Sequence, residues 1–263
     1  MENEQHYERH EQKWYRERRL SSILDLGELM LESGAEVDRI EDTISRLCDA
    51  YGYTRTDVFC ILSSIIVTAH CPDGEILTQT KRITRRNTDM GRVEKLNALS
   101  RRLCRTPVTM EKQNEMIDEI RNAKHVPPVI SCLMYIMLSG AFALFFGGDL
   151  LDACCACVSG LSLYLLLTLA ARADINNLLA NMICCALTGM VVMLLVKVGI
   201  GRHPDKVMIG NIMLVIPGVG LTTSLRDIIN GDMITGMIGI CEALMRSIAV
   251  ALGFAAAAIW FAL

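Results

Sequence analysis

Five long apolar runs fill the second half of the chain, at about residues 129–146, 150–171, 177–198, 207–225 and 233–262. Each run is close to the roughly 20 residues that an α-helix needs to cross a bilayer. Small residues within them, such as those at 139–141 and 159–160, suit close packing between such helices. The pattern predicts an α-helical integral membrane domain with five transmembrane helices over residues 128–263.

The first half of the chain alternates between helical and strand patterns. Apolar residues recur at helical spacing over residues 20–31 and 37–51, and a glycine closely follows each run. Strands are predicted at 57–62, 65–70 and 76–83, and further helices at about 89–104 and 110–123. We therefore expect an N-terminal α+β domain over residues 1–127, which is a normal domain size.

The fourth apolar run contains residues that disfavour a continuous helix. Pro217 removes a backbone donor and clashes with the preceding turn, and Gly218 and Gly220 are poor helix formers. In lipid, irregular backbone persists only where protein buries it or water reaches it. We therefore predict that this transmembrane helix is broken and that residues 216–221 line a cavity. The alternative is a kinked helix with only a packing role.

The charged residues are divided unevenly between the two halves. Residues 1–127 carry 20 of the 26 Lys and Arg residues and 22 of the 29 Asp and Glu residues. Because the start of the chain lacks the apolar core of a signal peptide, we expect this polar half to lie in the cytosol, beside the inner (plasma) membrane. A net charge of −3 gives no reason to expect nucleic acid. The cysteines of this half form no CxxC pair, so we expect no metal site, and nothing indicates a cofactor.

Polar residues inside the apolar runs are functional candidates, because each is costly to place in lipid. Arg246 lies near the middle of the last run, and Glu242 precedes it by one turn, which predicts an ion pair with either a structural or a substrate and proton role. Asn211 lies about one and a half turns before Pro217 and could point into the same cavity. Thr222 and the two hydroxyl residues after it could bind substrate or bond their own helix.

Charged residues also crowd the second predicted helix of the first half. Glu36 and Arg39 can pair at i,i+3, and Asp42 and Arg46 can pair at i,i+4. From charge alone, a solvated helix face is the plainer interpretation of these residues.

Enzymatic chemistry has weak support in the sequence. The residue types of a nucleophilic triad occur at Asp57, Ser63, Ser64 and His70. No GxSxG elbow surrounds either serine. No GxxxxGK[ST] loop occurs, so ATP-driven transport by this chain is disfavoured and an ion gradient is the remaining energy source.

Two longer stretches resemble the threonine/serine exporter (ThrE) family. They are LESGAEVDRIEDTISRLCDAYG at 31–52 with VFC at 58–60, and IPGVGLTTSLRDIINGDMITGM at 216–237 with CEAL at 241–244. The resemblance runs from about residue 20 to the end of the chain. Full-length members carry a second membrane half, whereas this chain stops after five predicted helices. Within the family it is therefore similar to the YjjP-type subunits of split YjjP/YjjB exporters.

The resemblance implies a secondary-active exporter and no enzyme activity. The implied substrates are small carboxylate-bearing metabolites, either serine/threonine-type amino acids or dicarboxylates such as succinate. The implied partner is a YjjB-like membrane subunit, in a hetero- or homo-oligomer within the lipid bilayer.

Roles for individual residues follow from their positions in these motifs and runs. The residues that we assign to substrate binding are Asn211, Pro217, Gly218, Gly220, Thr222 and Arg246. The residues that we assign to ion coupling are Glu242 and Asp227. The residues that we assign to gating or domain coupling are Glu36, Arg39, Glu41, Arg226 and Asp232. Arg246 would hold a substrate carboxylate, and Glu242 would carry a proton. The competing hypothesis is a membrane-anchored enzyme or sensor whose active part is the N-terminal soluble domain, and a pocket in that domain would favour it.

Overall fold

A computed structural model describes residues 2–123, 126–173 and 176–262. The helices are α1 Glu2–Glu32, α2 Val37–Ala50, α3 Met90–Arg105, α4 Met110–Arg121, α5 Pro128–Phe145, α6 Leu150–Arg172, α7 Asn177–Lys197, α8 Pro204–Val215, α9 Gly218–Asn230 and α10 Met233–Ala262. The strands are β1 Arg55–Ile61, β2 Ser64–His70 and β3 Ile76–Arg82. The strands and the helices α3 and α4 are confirmed to within two residues of their predicted ends. Helix α1 begins well before the apolar run that predicted it.

The chain groups into two compact units. Unit 1 comprises residues 1–123 together with 219–240, and unit 2 comprises residues 124–218 together with 241–263. The sequence-based division at residue 127 assigned 219–240 to the membrane domain, whereas the grouping joins this segment to the N-terminal residues. The location of unit 1 in the cytosol stays a prediction.

Unit 1 is built on an antiparallel sheet in the order β1-β2-β3. Alternation along β2 buries Ile65, Val67 and Ala69 on one face, as expected for a sheet with one face on a core. Apolar side chains from α1 and α2 fill that core, among them Leu20, Ile23, Leu24, Ile40 and Ile44. Each such buried side chain contributes roughly 1.5–3 kcal/mol of transfer free energy.

Two glycines end the first helices of unit 1. Gly34 follows α1 with φ of 86°, and Gly52 follows α2 with φ of 89°. This left-handed conformation is readily available only to glycine, so it stops each helix at the predicted position.

Unit 2 depends on small residues for its helix contacts. A Cβ atom at Gly160 of α6 would lie 2.7 Å from the Ser139 Cβ of α5. A Cβ atom at Gly210 of α8 would lie 2.7 Å from the Ser139 carbonyl oxygen. These distances are below normal contact, so α6 and α8 approach α5 as closely as they do only because both positions lack a side chain.

The predicted transmembrane helices are present in large part. Helices α5, α6, α7 and α10 are long and apolar enough to cross a membrane, and α8 with α9 forms a pair bent by 54° that counts as a fifth crossing if it is one span. Only 17–33% of the most apolar stretches of the four unbroken helices is buried. Large side chains such as Phe145 and Trp260 are therefore exposed, as expected for surfaces that face lipid.

The sheet separates the residue types considered for catalysis. Ser64 pairs with Ile61 at one end of β2, and His70 pairs with Arg55 at the other end. Six residues of extended strand span roughly 20 Å, which is far beyond hydrogen-bond reach. The Ser64 hydroxyl instead donates to the carbonyl of Lys81. The triad interpretation therefore fails.

Candidate functional site

The break predicted at Pro217 is present in the structure. Helix α8 ends at Val215, Ile216 is extended (φ −62°, ψ 128°), and α9 begins at Gly218, whose N–H donates to the Ile216 carbonyl at 2.8 Å. Among the described residues, a Cβ atom at Gly218 or Gly220 would meet no heavy atom within 4 Å. The start of α9 is thus a helix N-terminus without bulky neighbours. Its assignment to substrate stays a prediction.

The hydroxyls that follow the break bond to their own helix. The Thr222 hydroxyl donates to the Val219 carbonyl at 2.9 Å, and the Ser224 hydroxyl donates to the Gly220 carbonyl at 2.8 Å. This is the second of the two alternatives that the sequence left open for these residues. It ties the hydroxyl groups to the backbone in the first turns of α9.

Asn211 lies at the contact of three helices in unit 2 and is fully buried. Its side-chain nitrogen donates to the Ser159 hydroxyl of α6 at 2.8 Å and to the Val207 carbonyl of α8 at 3.0 Å. Its side-chain oxygen accepts from the Ser139 hydroxyl of α5 at 3.0 Å. In this structure Asn211 is therefore a packing residue that satisfies its amide within the helix bundle. A role in contacting substrate stays a prediction for it.

The predicted ion pair in α10 is formed. The Arg246 guanidinium donates to the Glu242 carboxylate at 2.6 Å, and the two side chains are about one-third exposed (36% and 37%). A charged pair on the outside of an apolar helix is costly in lipid unless water or another protein group meets it. The geometry places both groups where a solute or another protein chain can reach them.

The two family motifs meet inside unit 1. The Arg226 guanidinium of α9 donates to the Glu36 carboxylate, at the start of α2, at 2.5 Å. The expected pairing of Glu36 with Arg39 is therefore wrong, because Glu36 uses a partner distant in sequence, and Arg39 is exposed. The other expected pair, Asp42 with Arg46, is confirmed at 2.7 Å.

Asp227 lies beside this ion pair and is 4% exposed. Its carboxylate interacts with the backbone N–H of Val37 in the first turn of α2, where helix N–H groups lack partners. Its Oδ1 atom has no hydrogen-bond partner in the part of the chain that the structure describes. A buried carboxylate oxygen without a partner is costly, and binding a proton or a cation would relieve the cost.

Glu41 is the second partly buried carboxylate of unit 1. One of its oxygens accepts from the backbone N–H of Cys60 in β1 at 2.7 Å. Burial raises the pKa of Glu41, and the nearby carboxylates of Asp232 and Asp38 raise it further, while the bond from Cys60 acts in the opposite direction. The charged residues of the two motifs therefore form one group. We call it the motif cluster, and its members are Glu36, Glu41, Arg226, Asp227 and Asp232.

Sequence reasoning missed Asp152. It is fully buried and accepts hydrogen bonds from the backbone N–H groups of Arg202, His203 and Asp149 at 2.6 to 2.9 Å. The Nδ1 atom of His203 lies 2.8 Å from Oδ2 of Asp152, the oxygen that also accepts from Asp149. The ligand atoms of Asp149, Asp152 and His203 lie within 4.8 Å of one another, but Asp152 is already surrounded by donors. Through these hydrogen bonds Asp152 connects the α7–α8 loop to the start of α6.

The long apolar helices and the broken helix pair define a multi-pass membrane protein. A sequence profile of the threonine/serine exporter (ThrE) family matches residues 21–260. The chain belongs to the threonine/serine exporter family.

One curated relative comes from Mycobacterium tuberculosis (strain ATCC 25618 / H37Rv) and is named "Probable threonine/serine exporter". It is 23% identical over 241 residues, which cover 89% of this chain and 44% of the relative. The chain thus spans less than half the length of that protein. No solved structure matches the chain.

Proposed function

We propose that this chain is one subunit of a secondary-active exporter of small carboxylate-bearing metabolites. The substrates would be serine/threonine-type amino acids or dicarboxylates such as succinate, and an ion gradient would drive export. The proposal rests on family membership together with one structural observation, the break between α8 and α9 at Pro217. Broken helices near the middle of the membrane are where many secondary transporters bind substrates and ions.

The break offers an anion site for physical reasons. The first N–H groups of a helix lack intrahelical partners and carry a partial positive charge, so they attract a carboxylate. The Gly218 N–H already donates to the Ile216 carbonyl, so the N–H groups that follow it in α9 would supply this site, and neither Gly218 nor Gly220 places a side chain over them. We assign Pro217 to the positioning of this N-terminus and Thr222 to its first turns. Asn211, whose amide is satisfied inside the helix bundle, would act on substrate through the packing of α8 against α5 and α6.

Arg246 and Glu242 supply the second element of the proposal. Their ion pair holds the Arg246 guanidinium on an apolar helix. A substrate carboxylate would replace Glu242 as the partner of Arg246. Glu242 would then be free to take a proton. The substrate carboxylate and the Glu242 carboxylate would thereby compete for Arg246, so that substrate binding and protonation of Glu242 are linked through one ion pair.

The motif cluster supplies the proposed gating and ion-coupling groups. Asp227 would bind the coupling ion, because its carboxylate is buried with one oxygen unpartnered among the described residues. Ion binding there would change the charge beside the Arg226–Glu36 pair. Glu41, Asp232 and the exposed Arg39 would respond to the same change.

We further propose that the chain lies in the inner (plasma) membrane with unit 1 in the cytosol. It would work with a YjjB-like membrane subunit, as the resemblance of the two sequence motifs to the split exporters implies. A hetero-oligomer would also cover part of the exposed apolar surface of α5–α10.

Efflux of labelled serine, threonine and succinate from cells tests the proposal. Cells that express the chain with a YjjB-like subunit should export at least one of these solutes faster than cells that lack either protein. Arg246→Ala and Glu242→Gln should abolish the gain, whereas Arg172→Ala, at the exposed end of α6, should leave it unchanged. Unchanged efflux in the Arg246 and Glu242 variants would reject their roles, and full-rate transport by the purified chain alone in liposomes would reject the partner.

A further inference from the structure

A cavity of about 270 Å³ lies within the N-terminal part of unit 1, apart from every group used above. Its walls include Arg16, Arg19, Tyr15, Tyr51 and Tyr53. The volume is slightly below the usual range for small-molecule pockets, and the lining combines aromatic rings with a few polar groups, as such pockets do.

Arg19 is the unusual residue of this cavity, because it is only 4% exposed. Its guanidinium donates to the Tyr15 hydroxyl at 2.8 Å and to the Gln113 side-chain oxygen at 3.3 Å. It also lies 4.3 Å from the centre of the Tyr51 ring. All of these partners are neutral, and among residues 11–123 no carboxylate forms an ion pair with it.

The neighbouring arginine is in a different situation. Arg16 forms an ion pair with Asp73 at 2.5 Å, so its charge is already balanced. A buried cation is costly unless an anion pairs with it. The cavity wall therefore carries one positive charge without a balancing partner in the described protein, and three of the five N–H groups of Arg19 remain available.

We propose that this cavity is a binding site for a small organic carboxylate. The Arg19 guanidinium would bind the carboxylate through its free N–H groups, since the planar fork of arginine matches the two carboxylate oxygens. The tyrosine rings would cover the rest of the ligand. A pocket in unit 1 favours a sensor role for this domain. That role is compatible with an exporter subunit, because the site does not depend on the proposed substrate site in the membrane helices.

A carboxylate fits better than a larger anion for two reasons. The volume accommodates a molecule of a few heavy atoms but not a nucleotide, and a single unbalanced cation matches a single anionic group. The aromatic lining would add contact with a carbon skeleton, which inorganic phosphate lacks.

Binding to the purified full-length protein in detergent, measured by calorimetry, tests the proposal with succinate, L-threonine and inorganic phosphate as probes. All measurements are made in an Arg246→Ala background, so that loss of the proposed transport site does not affect the outcome. At least one carboxylate should bind, and Arg19→Met should weaken its binding at least about tenfold, as expected for a lost charge-assisted contact. Arg19→Lys should weaken it less, because the charge remains.

Arg18→Met is the matched control, because Arg18 is exposed and its guanidinium lies over Trp14 on the same helix. Added to the Arg246→Ala background, this substitution should leave the dissociation constant within about twofold of that of the background alone. Three results would overturn the proposal: no binding of either carboxylate, binding of phosphate alone, or equal weakening by the Arg18 and Arg19 substitutions. Should Arg19→Met not fold, Arg19→Lys decides the question on its own, because unchanged affinity in that variant would exclude two-pronged recognition.

Discussion

Arg226 and Glu36 are separated by 190 positions in the sequence, and their side chains form an ion pair at 2.5 Å. Each residue belongs to one of the two stretches that carry the family resemblance. The contact joins the last turns of α9 to the first turn of α2, next to the buried carboxylate of Asp227. The pair therefore links the segment that follows the helix break to the N-terminal fold within unit 1.

Removing this pair should affect transport more than stability. Arg226 is 60% exposed at its side chain, and exposed ion pairs contribute only about 0–1 kcal/mol. We expect Arg226→Ala and Glu36→Ala to lower efflux severalfold while the melting temperature changes by no more than a few degrees. The exchange of the two charges, Glu36→Arg with Arg226→Glu, should restore part of the efflux.

The pair formed by Asp42 and Arg46 provides a matched control. It has the same chemistry at 2.7 Å and lies on the exposed face of the same helix, α2. Asp42→Ala should therefore leave efflux unchanged. Equal losses from the Asp42 and Glu36 variants, or no recovery in the exchanged double variant, would show that the contact has no role in coupling.

Glu41 gives a prediction for the pH dependence of stability. Burial raises its pKa in the folded protein above the value of the unfolded chain. The folded state then keeps this proton to higher pH, so the Glu41 contribution to stability falls as pH rises through the window between the two pKa values. Below that window Glu41 is protonated in both states and does not lower the free energy of unfolding. Above it Glu41 is ionised in both states and lowers the free energy of unfolding by a constant amount.

Glu41→Gln should remove this penalty, because the amide is neutral and its oxygen can still accept from Cys60. The melting temperature of the variant relative to the wild type should therefore rise as the pH increases from the ordinary pKa of a glutamate, about 4.3. Asp42→Asn, on the exposed side of α2, should show no such rise. A difference between Glu41→Gln and the wild type that does not change with pH would contradict the assignment.

The local features of the fold were predictable because they depend on nearby residues. Gly34 and Gly52 end helices through their own backbone conformation, and Pro217 breaks a helix through its missing N–H. The i,i+4 pair of Glu242 and Arg246 follows from helix geometry alone. These predictions needed no knowledge of which elements pack together.

The missed features depend on contacts between distant segments. Glu36 pairs with Arg226 and not with Arg39, and no sequence pattern within α2 predicts this contact. Asp152 binds the N–H groups of a loop 50 positions further along the chain, although the Asp-x-x-Asp spacing at α6 does predict its bond with Asp149. For Asn211, an almost uniformly apolar helix has no polar face to show which side lies inside.

The buried amide of Asn211 yields a prediction about packing. Asn211→Leu keeps the volume but loses hydrogen bonds to Ser139 and Ser159, so it should lower the free energy of unfolding by roughly 1 kcal/mol. A double-mutant cycle with Ser139→Ala should show coupling of at least about 0.5 kcal/mol, measured by thermal unfolding in detergent.

Thr188 in α7 supplies the contrasting case within unit 2. It is buried, and its hydroxyl has no partner among the described residues. Thr188→Val should therefore keep or raise the melting temperature, and its effect should add to that of Asn211→Leu. Coupling of Asn211 with Thr188 as strong as its coupling with Ser139 would contradict the packing described for Asn211.

Glycine substitutions can separate a packing role from a functional one on the same broken helix pair. At Gly210 an added Cβ atom would lie 2.7 Å from a backbone oxygen of α5, so Gly210→Ala should cost about 1–3 kcal/mol through overpacking. At Gly218 the added atom would meet no described atom within 4 Å, and alanine has a higher helix propensity than glycine. Gly218→Ala should therefore fold at least as well as the wild type.

Because the proposed substrate carboxylate must approach the backbone at Gly218, the Gly218→Ala variant should lose efflux. Efflux is measured with labelled solute, and a melting curve of the purified protein is recorded beside it. Normal efflux in Gly218→Ala, together with unchanged stability in Gly210→Ala, would show that neither the open helix start nor the close helix contact matters as argued.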